Sequence, residues 1–96
     1  MKHVPLHTLE STDGGPAIDY ATVLREVVKR PLNPREGATI DEMRQGIRLL
    51  DALDSANGTL DLEDSDYANL KAKLLAMPWN LIDRRLVQLV DDVLGA

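Results

Sequence analysis

Prolines and glycines cut the chain between Asp19 and Leu94 into four segments, at Pro31, Pro34 with Gly37, Asn57-Gly58 and Pro78. Proline has no amide N–H and pushes its predecessor out of helical geometry, so these sites end helices. Each segment between them repeats apolar residues three and four apart, which gathers them on one helix face. The expected fold class is mainly α, a compact four-helix domain.

The first helix is expected from Asp19 to Arg30, with Asp19 accepting a backbone N–H as N-cap and Tyr20, Val23, Leu24, Val27 and Val28 on one face. The second opens at Thr39. Thr39 and Glu42 have capping-box spacing, in which each side chain satisfies the other's backbone N–H. Its apolar stripe reads Ile40, Met43, Ile47, Leu50 and Leu53, with Asp41, Arg44, Arg48 and Asp51 on the polar side, and it ends near Ala56. Gly46 inside it costs about 1 kcal/mol against alanine. The third is expected over 65–77 with Tyr67, Leu70, Leu74 and Met77 inward. The fourth is capped by Asn80, runs to Leu94 and turns Ile82, Leu86, Leu89, Val90 and Val93 inward. Residues 1–15 read as an extended or mobile arm, with a loop at 11–16, ahead of a single helical domain over 16–96. A short two-stranded element pairing 4–8 with 59–62 is a further expectation, with Pro5 confining it to an edge.

The 96 residues include no Phe and no Cys, and Tyr20, Tyr67 and Trp79 are the only aromatics. The core must be aliphatic, and disulfide or thiolate chemistry is excluded. A chain of this size buries roughly 60–65% of its unfolded surface, a modest core that self-association or a partner would reinforce. No apolar run approaches the ~20 residues that span a bilayer. Residues 1–9 lack the apolar stretch of a signal peptide.

The net charge of −5 is local: residues 51–66 hold six acids and no Lys or Arg, whereas six bases fall within 25–48. A basic end and an acidic end are expected, an arrangement that steers charged partners. Net acidity argues against sequence-independent DNA binding, which needs several bases on phosphates.

Chemistry-bearing patterns are sparse. Residues 53–64 have the layout of a calcium loop, but Leu53 stands at the first ligand position and Asp64 replaces the usual terminal Glu. His3 and His7 are four apart, but Pro5 lies between them. No nucleophile elbow, phosphate loop or cysteine–histidine set occurs, so no enzyme activity, cofactor, metal or catalytic residue is assigned. Acids at 61–66 and at Asp91-Asp92 read as solvent-facing or capping residues.

Met77-Pro78-Trp79 is the outstanding apolar corner: a tryptophan there is expected as a core plug whose indole N–H finds a carbonyl, and the alternative is a partly exposed anchor for another protein, because tryptophan is enriched at binding hot spots. Several stretches carry a resemblance: Asp41-Glu42-Met43-Arg44, Ile47-Arg48 with Leu50 to Leu53, Leu60 with Leu62-Glu63-Asp64, Tyr67 with Leu70-Lys71, Trp79, and Val90-Asp91-Asp92-Val93. Over residues 18–96 the chain resembles small uncharacterised proteins of tailed-phage and prophage gene clusters. The resemblance implies a bacterial cytoplasmic or virion-assembly setting and carries no catalytic residue or cofactor. The expected function is a non-enzymatic protein–protein interaction module, a phage accessory or assembly factor, with Trp79, Met77, Arg44 and Arg48 as partner-binding residues. The partner is another protein, a homodimer included, with no membrane. The alternative is a small regulatory nucleic-acid-binding protein using Arg44 and Arg48.

Overall fold

Val4 is wholly buried, and its burial marks the first departure from a helical domain. The computed structural model describes residues 1–11 and 14–96; residues 12 and 13 of the expected loop lie outside that description. Strand β1 (Lys2–Pro5) pairs antiparallel with β4 (Thr59–Leu62), setting Val4 opposite Leu60. Alternation does the rest: Val4, Leu60 and Leu62 turn inward while His3 and Asp61 face out. On that outer face His3 Nδ1 lies 2.6 Å from Asp61 Oδ1. Gly58, at φ +78°, supplies the left-handed residue that sends the chain from helix into β4. The stretch with a calcium-loop layout is therefore a turn and a strand.

A second small sheet pairs β2 (Thr8–Leu9) with β3 (Ile18–Asp19). The expectation of a mainly α four-helix domain is corrected: the fold is α+β, four helices with two two-stranded antiparallel sheets. The expected pairing with 59–62 is found, but its partner strand is Lys2–Pro5 and not 4–8, because Thr8 belongs to the other sheet. Pro5 is tolerated as the last residue of its strand.

The helices are α1 (Tyr20–Lys29), α2 (Ile40–Ser55), α3 (Asp64–Ala76) and α4 (Arg84–Leu94). The core is aliphatic around Tyr20, Leu24, Leu49, Leu60, Leu70 and Leu89. Helix α1 packs against α2 and α3, α2 also lies on β4, and α4 touches β1 and α3. Two phenols pin α4. Tyr20 donates to Asp92 at 2.6 Å, and Tyr67 donates to the Val93 carbonyl at 2.6 Å. Asp92, expected to face solvent or to cap, is thus half-buried and engaged by a phenol. Burial, the hydrogen bond to Asp92 and that residue's charge all push the Tyr20 phenol far above its ordinary value.

Cap chemistry differs from expectation at three helix starts. Asp19 holds the N-cap of α1, but its carboxylate accepts from the Thr22 hydroxyl at 2.8 Å and not from a backbone N–H. Thr39 Oγ1 does accept from Glu42 N at 3.1 Å. The reciprocal half of the box is absent because Glu42 turns to the Leu32 N–H, at 3.3 Å, and to Lys73. Helix α4 is capped by Asp83 instead of Asn80.

Lys73 is the principal buried cation. Its Nζ donates to the carbonyls of Val28 at 3.0 Å and Arg30 at 2.7 Å, and lies 3.7 Å from Glu42 Oε2. Three ammonium protons thus face three acceptors where the end of α1, the start of α2 and the end of α3 converge. The last carbonyls of α1, orphaned by helix termination, find their donor here.

Arg25 reaches Asp54 at 3.1 Å, and Arg48 reaches Asp66 at 3.0 Å, so the basic and acidic stretches partly neutralise one another across the fold.

Candidate functional site

The segment between α3 and α4 is irregular because Pro78 follows α3 immediately and Asp83 starts the next helix late. Asp83 Oδ1 accepts from the Arg85 N–H at 2.9 Å, and its other oxygen meets the Arg85 guanidinium at 2.9 Å. Arg85 also donates to the Pro16 carbonyl at 2.9 Å, tying the helix start to the chain entering β3. A charged cap with a guanidinium beside it outcompetes the neutral amide of Asn80. The same contacts hold the Asp83 carboxyl below the usual carboxylate range.

This late start leaves Leu81 and Ile82 off the helix. Ile82, expected in the core, is fully exposed at 105%, and Leu81 and Val87 are exposed beside it. With Trp79, Leu86 and Val90 they line a groove of about 490 Å³ whose lining is mostly apolar. Trp79 is half-buried: it packs against the core edge and contributes to this groove. Met77 does not join it; it faces a small cleft beside Pro31 and Pro34.

Helix α2 carries a second apolar surface. Its buried residues are Gly46, Leu49 and Leu53, so the stripe read from the sequence is misplaced by a fraction of a turn. Ile40, Met43 and Ile47, expected inside, are 60%, 50% and 53% exposed. Between Met43, Ile47 and α1 runs a groove of about 240 Å³ walled by Val28, Pro31 and Ala38. Isolated exposed apolar side chains are ordinary, but three in a row on one helix form a contiguous face.

The two arginines of α2 behave differently. Arg48 presents its guanidinium fork to Asp66, Nε to Oδ1 at 3.1 Å and Nη2 to Oδ2 at 3.0 Å. Asp66, expected to face solvent or to cap, is buried, and its hydrogen bonds to the guanidinium, then its charge, raise the Arg48 pKa. Arg44 stays largely exposed, with Asp41 at 3.8 Å. Phosphate binding through both arginines would require breaking the bidentate pair. The structure thus separates the four expected partner-binding residues: Trp79 at the α4 groove, Met77 at a cleft, Arg44 on the rim of the α2 face, and Arg48 locked to Asp66. Sequence reasoning missed Leu81, Ile82 and Val87 as surface residues. The available signal was Val87, which does not fit the apolar stripe assigned to its helix.

Among the described residues no helix is long and apolar enough to cross a membrane. No family model matches the chain, and neither the curated proteins nor the solved structures include a significant match.

Proposed function

We propose that the protein is a non-enzymatic interaction module that docks an apolar helix or extended segment of another protein in the groove between Trp79 and Val87. The observation that carries this is Ile82, fully exposed beside a half-buried tryptophan and two further exposed aliphatic residues. Removing such a face from water is worth about 25 cal/mol per Å² of apolar area, and a tryptophan at its edge is a typical anchor. Asp83, which lines the groove, is tied to Arg85, and Arg85 to the Pro16 carbonyl, which fixes the start of α4 beside it. A bacterial cytoplasmic or virion-assembly setting, with the role of a phage accessory or assembly factor, rests on the sequence resemblance alone.

The test is selection from a displayed library of amphipathic helical peptides against the full chain. Selected peptides are expected to shift the emission of Trp79, the sole tryptophan, and to lose at least tenfold in affinity when Ile82→Asp is introduced. Trp79→Ala is expected to keep the helical circular-dichroism signal and weaken the same binding. Ile82 touches little of the protein, so its variant separates docking from folding. Binders insensitive to Ile82→Asp, or no binders at all, would overturn the assignment.

A further inference from the structure

We infer that the occupant of the groove beside Trp79 is a basic amphipathic helix, one that lays aliphatic residues against Ile82 and Val87 and sets a lysine or arginine against Asp91. This deepens the docking proposed above and rests on it. The helical form and the basic charge come from different observations.

The form follows from the backbone of the walls. Helix α4 supplies Leu86, Val87 and Val90, and the irregular chain before it supplies Trp79, Leu81 and Ile82. None of these residues belongs to a strand. An extended peptide gains its affinity chiefly by adding to a sheet edge, where main-chain hydrogen bonds hold it. Here α4 spends its amides on its own turns. In its first turn the Arg85 N–H goes to the Asp83 carboxylate, and those of Leu86 and Val87 go to the Asp83 carbonyl. A strand laid in the groove would therefore bury its own N–H and C=O groups against hydrocarbon. A helix avoids that cost by satisfying them internally.

The charge follows from the rim. Two carboxylates, Asp83 and Asp91, line the groove, and no Lys or Arg does. Asp83 is already satisfied, because Arg85 holds both of its oxygens. Asp91 is exposed, and its carboxylate has no hydrogen bond or ion pair among the described residues. The bases of its own helix, Arg84 and Arg85, stand seven and six residues away, about 9–10.5 Å along the axis. Arg85 is committed to Asp83, and Arg84 lies outside the lining. Docking an apolar partner beside Asp91 strips water from a lone carboxylate. A basic residue on the partner offsets that cost and an acidic one adds to it.

The test is panning of random linear peptides of about sixteen residues, long enough for a helix, against the full chain, discarding those that also bind the Ile82→Asp chain. The survivors are expected to carry aliphatic residues at helical spacing, flanked by Lys or Arg and not by Asp or Glu. Synthesised, they should gain helical circular dichroism on binding, and a central proline should cost them at least tenfold in affinity. Asp91→Lys suits the C-terminal end of α4, so it should leave the circular dichroism of the chain unchanged. It should weaken a lysine-bearing survivor about five- to tenfold, and exchanging that lysine for glutamate should restore most of the loss. Survivors with period-two apolar spacing that tolerate the central proline would overturn the helix and leave the docking proposal intact. Survivors that are acidic, or indifferent to Asp91→Lys, would overturn the charge. No survivors at all would overturn the docking itself, and this inference with it.

Discussion

Tyr20 shows how much one side chain sets in this small core. Its ring is fully buried, His7 packs edge-on to it at 5.5 Å, and its hydroxyl spans from the first turn of α1 to Asp92 on α4. Folding raises its pKa above the ordinary 10.0, so the native state favours the neutral phenol. That contribution is whole below pH 10 and is lost as pH rises beyond it, because the unfolded phenol ionises first. Tyr20→Phe should cost about 1.5–3 kcal/mol at pH 8, the worth of a hydrogen bond to a charged group. The difference from the parent should shrink by up to about 1.4 kcal/mol per pH unit above 10, measured by urea unfolding. Gly46 has a quieter lesson. A Cβ built there meets only Val28, at 3.7 Å from both Cγ1 and the carbonyl oxygen, which is ordinary contact. Gly46→Ala should therefore gain about 0.5–1 kcal/mol from helix propensity, seen as a higher urea midpoint at unchanged slope.

At the scale of elements, the ends of helices decide the structure more than their middles. Lys73 joins three of those ends. Lys73→Met should cost about 3 kcal/mol, because two carbonyls and a half-buried carboxylate lose their donor together. Adding Glu42→Gln should recover about half of that loss by removing the uncompensated charge while keeping an acceptor for Leu32, again read from urea midpoints. The positions of all four helices were legible from proline, glycine and apolar spacing. The inward faces of α1 and α3 were legible as well, since Leu24, Val27, Leu70 and Leu74 stand at clear helical spacing and are buried. The face of α2 was not, because its buried line runs through Gly46, which offers no side chain to signal it. Ile40, Met43 and Ile47 then supply a stronger pattern on the wrong side. Nor was the start of α4. The choice between Asn80 and Asp83 turns on Arg85 and on the Pro16 carbonyl, a contact that spans 69 residues. The candidate groove depends on that choice, so the sequence could point to Trp79 and not to Ile82.

For the molecule as a whole, the two sheets change what kind of object it is. Four helices alone would form a bundle with a free leading segment. Instead β1 closes the core from one side through Val4, and the β2–β3 pair fixes the entry to α1 through Tyr20 N, which donates to the His7 carbonyl at 3.0 Å. The charges follow the same logic, since Arg25–Asp54 and Arg48–Asp66 bind distant stretches together. Helix α2 and the segment before α4 both turn apolar residues to water, and the groove beside α4 is the one proposed to receive another protein.

The pairing of Lys2 with Leu62 carries a consequence for biosynthesis. Strand β1 finds its mate only after sixty further residues have been added, several seconds at about 5–20 residues per second. Throughout that interval the nascent chain bears an unmated edge, and Val4, made before any helix, has no partner strand to hold it in the interior. Final closure must therefore come after translation of α2, however quickly the helices wind.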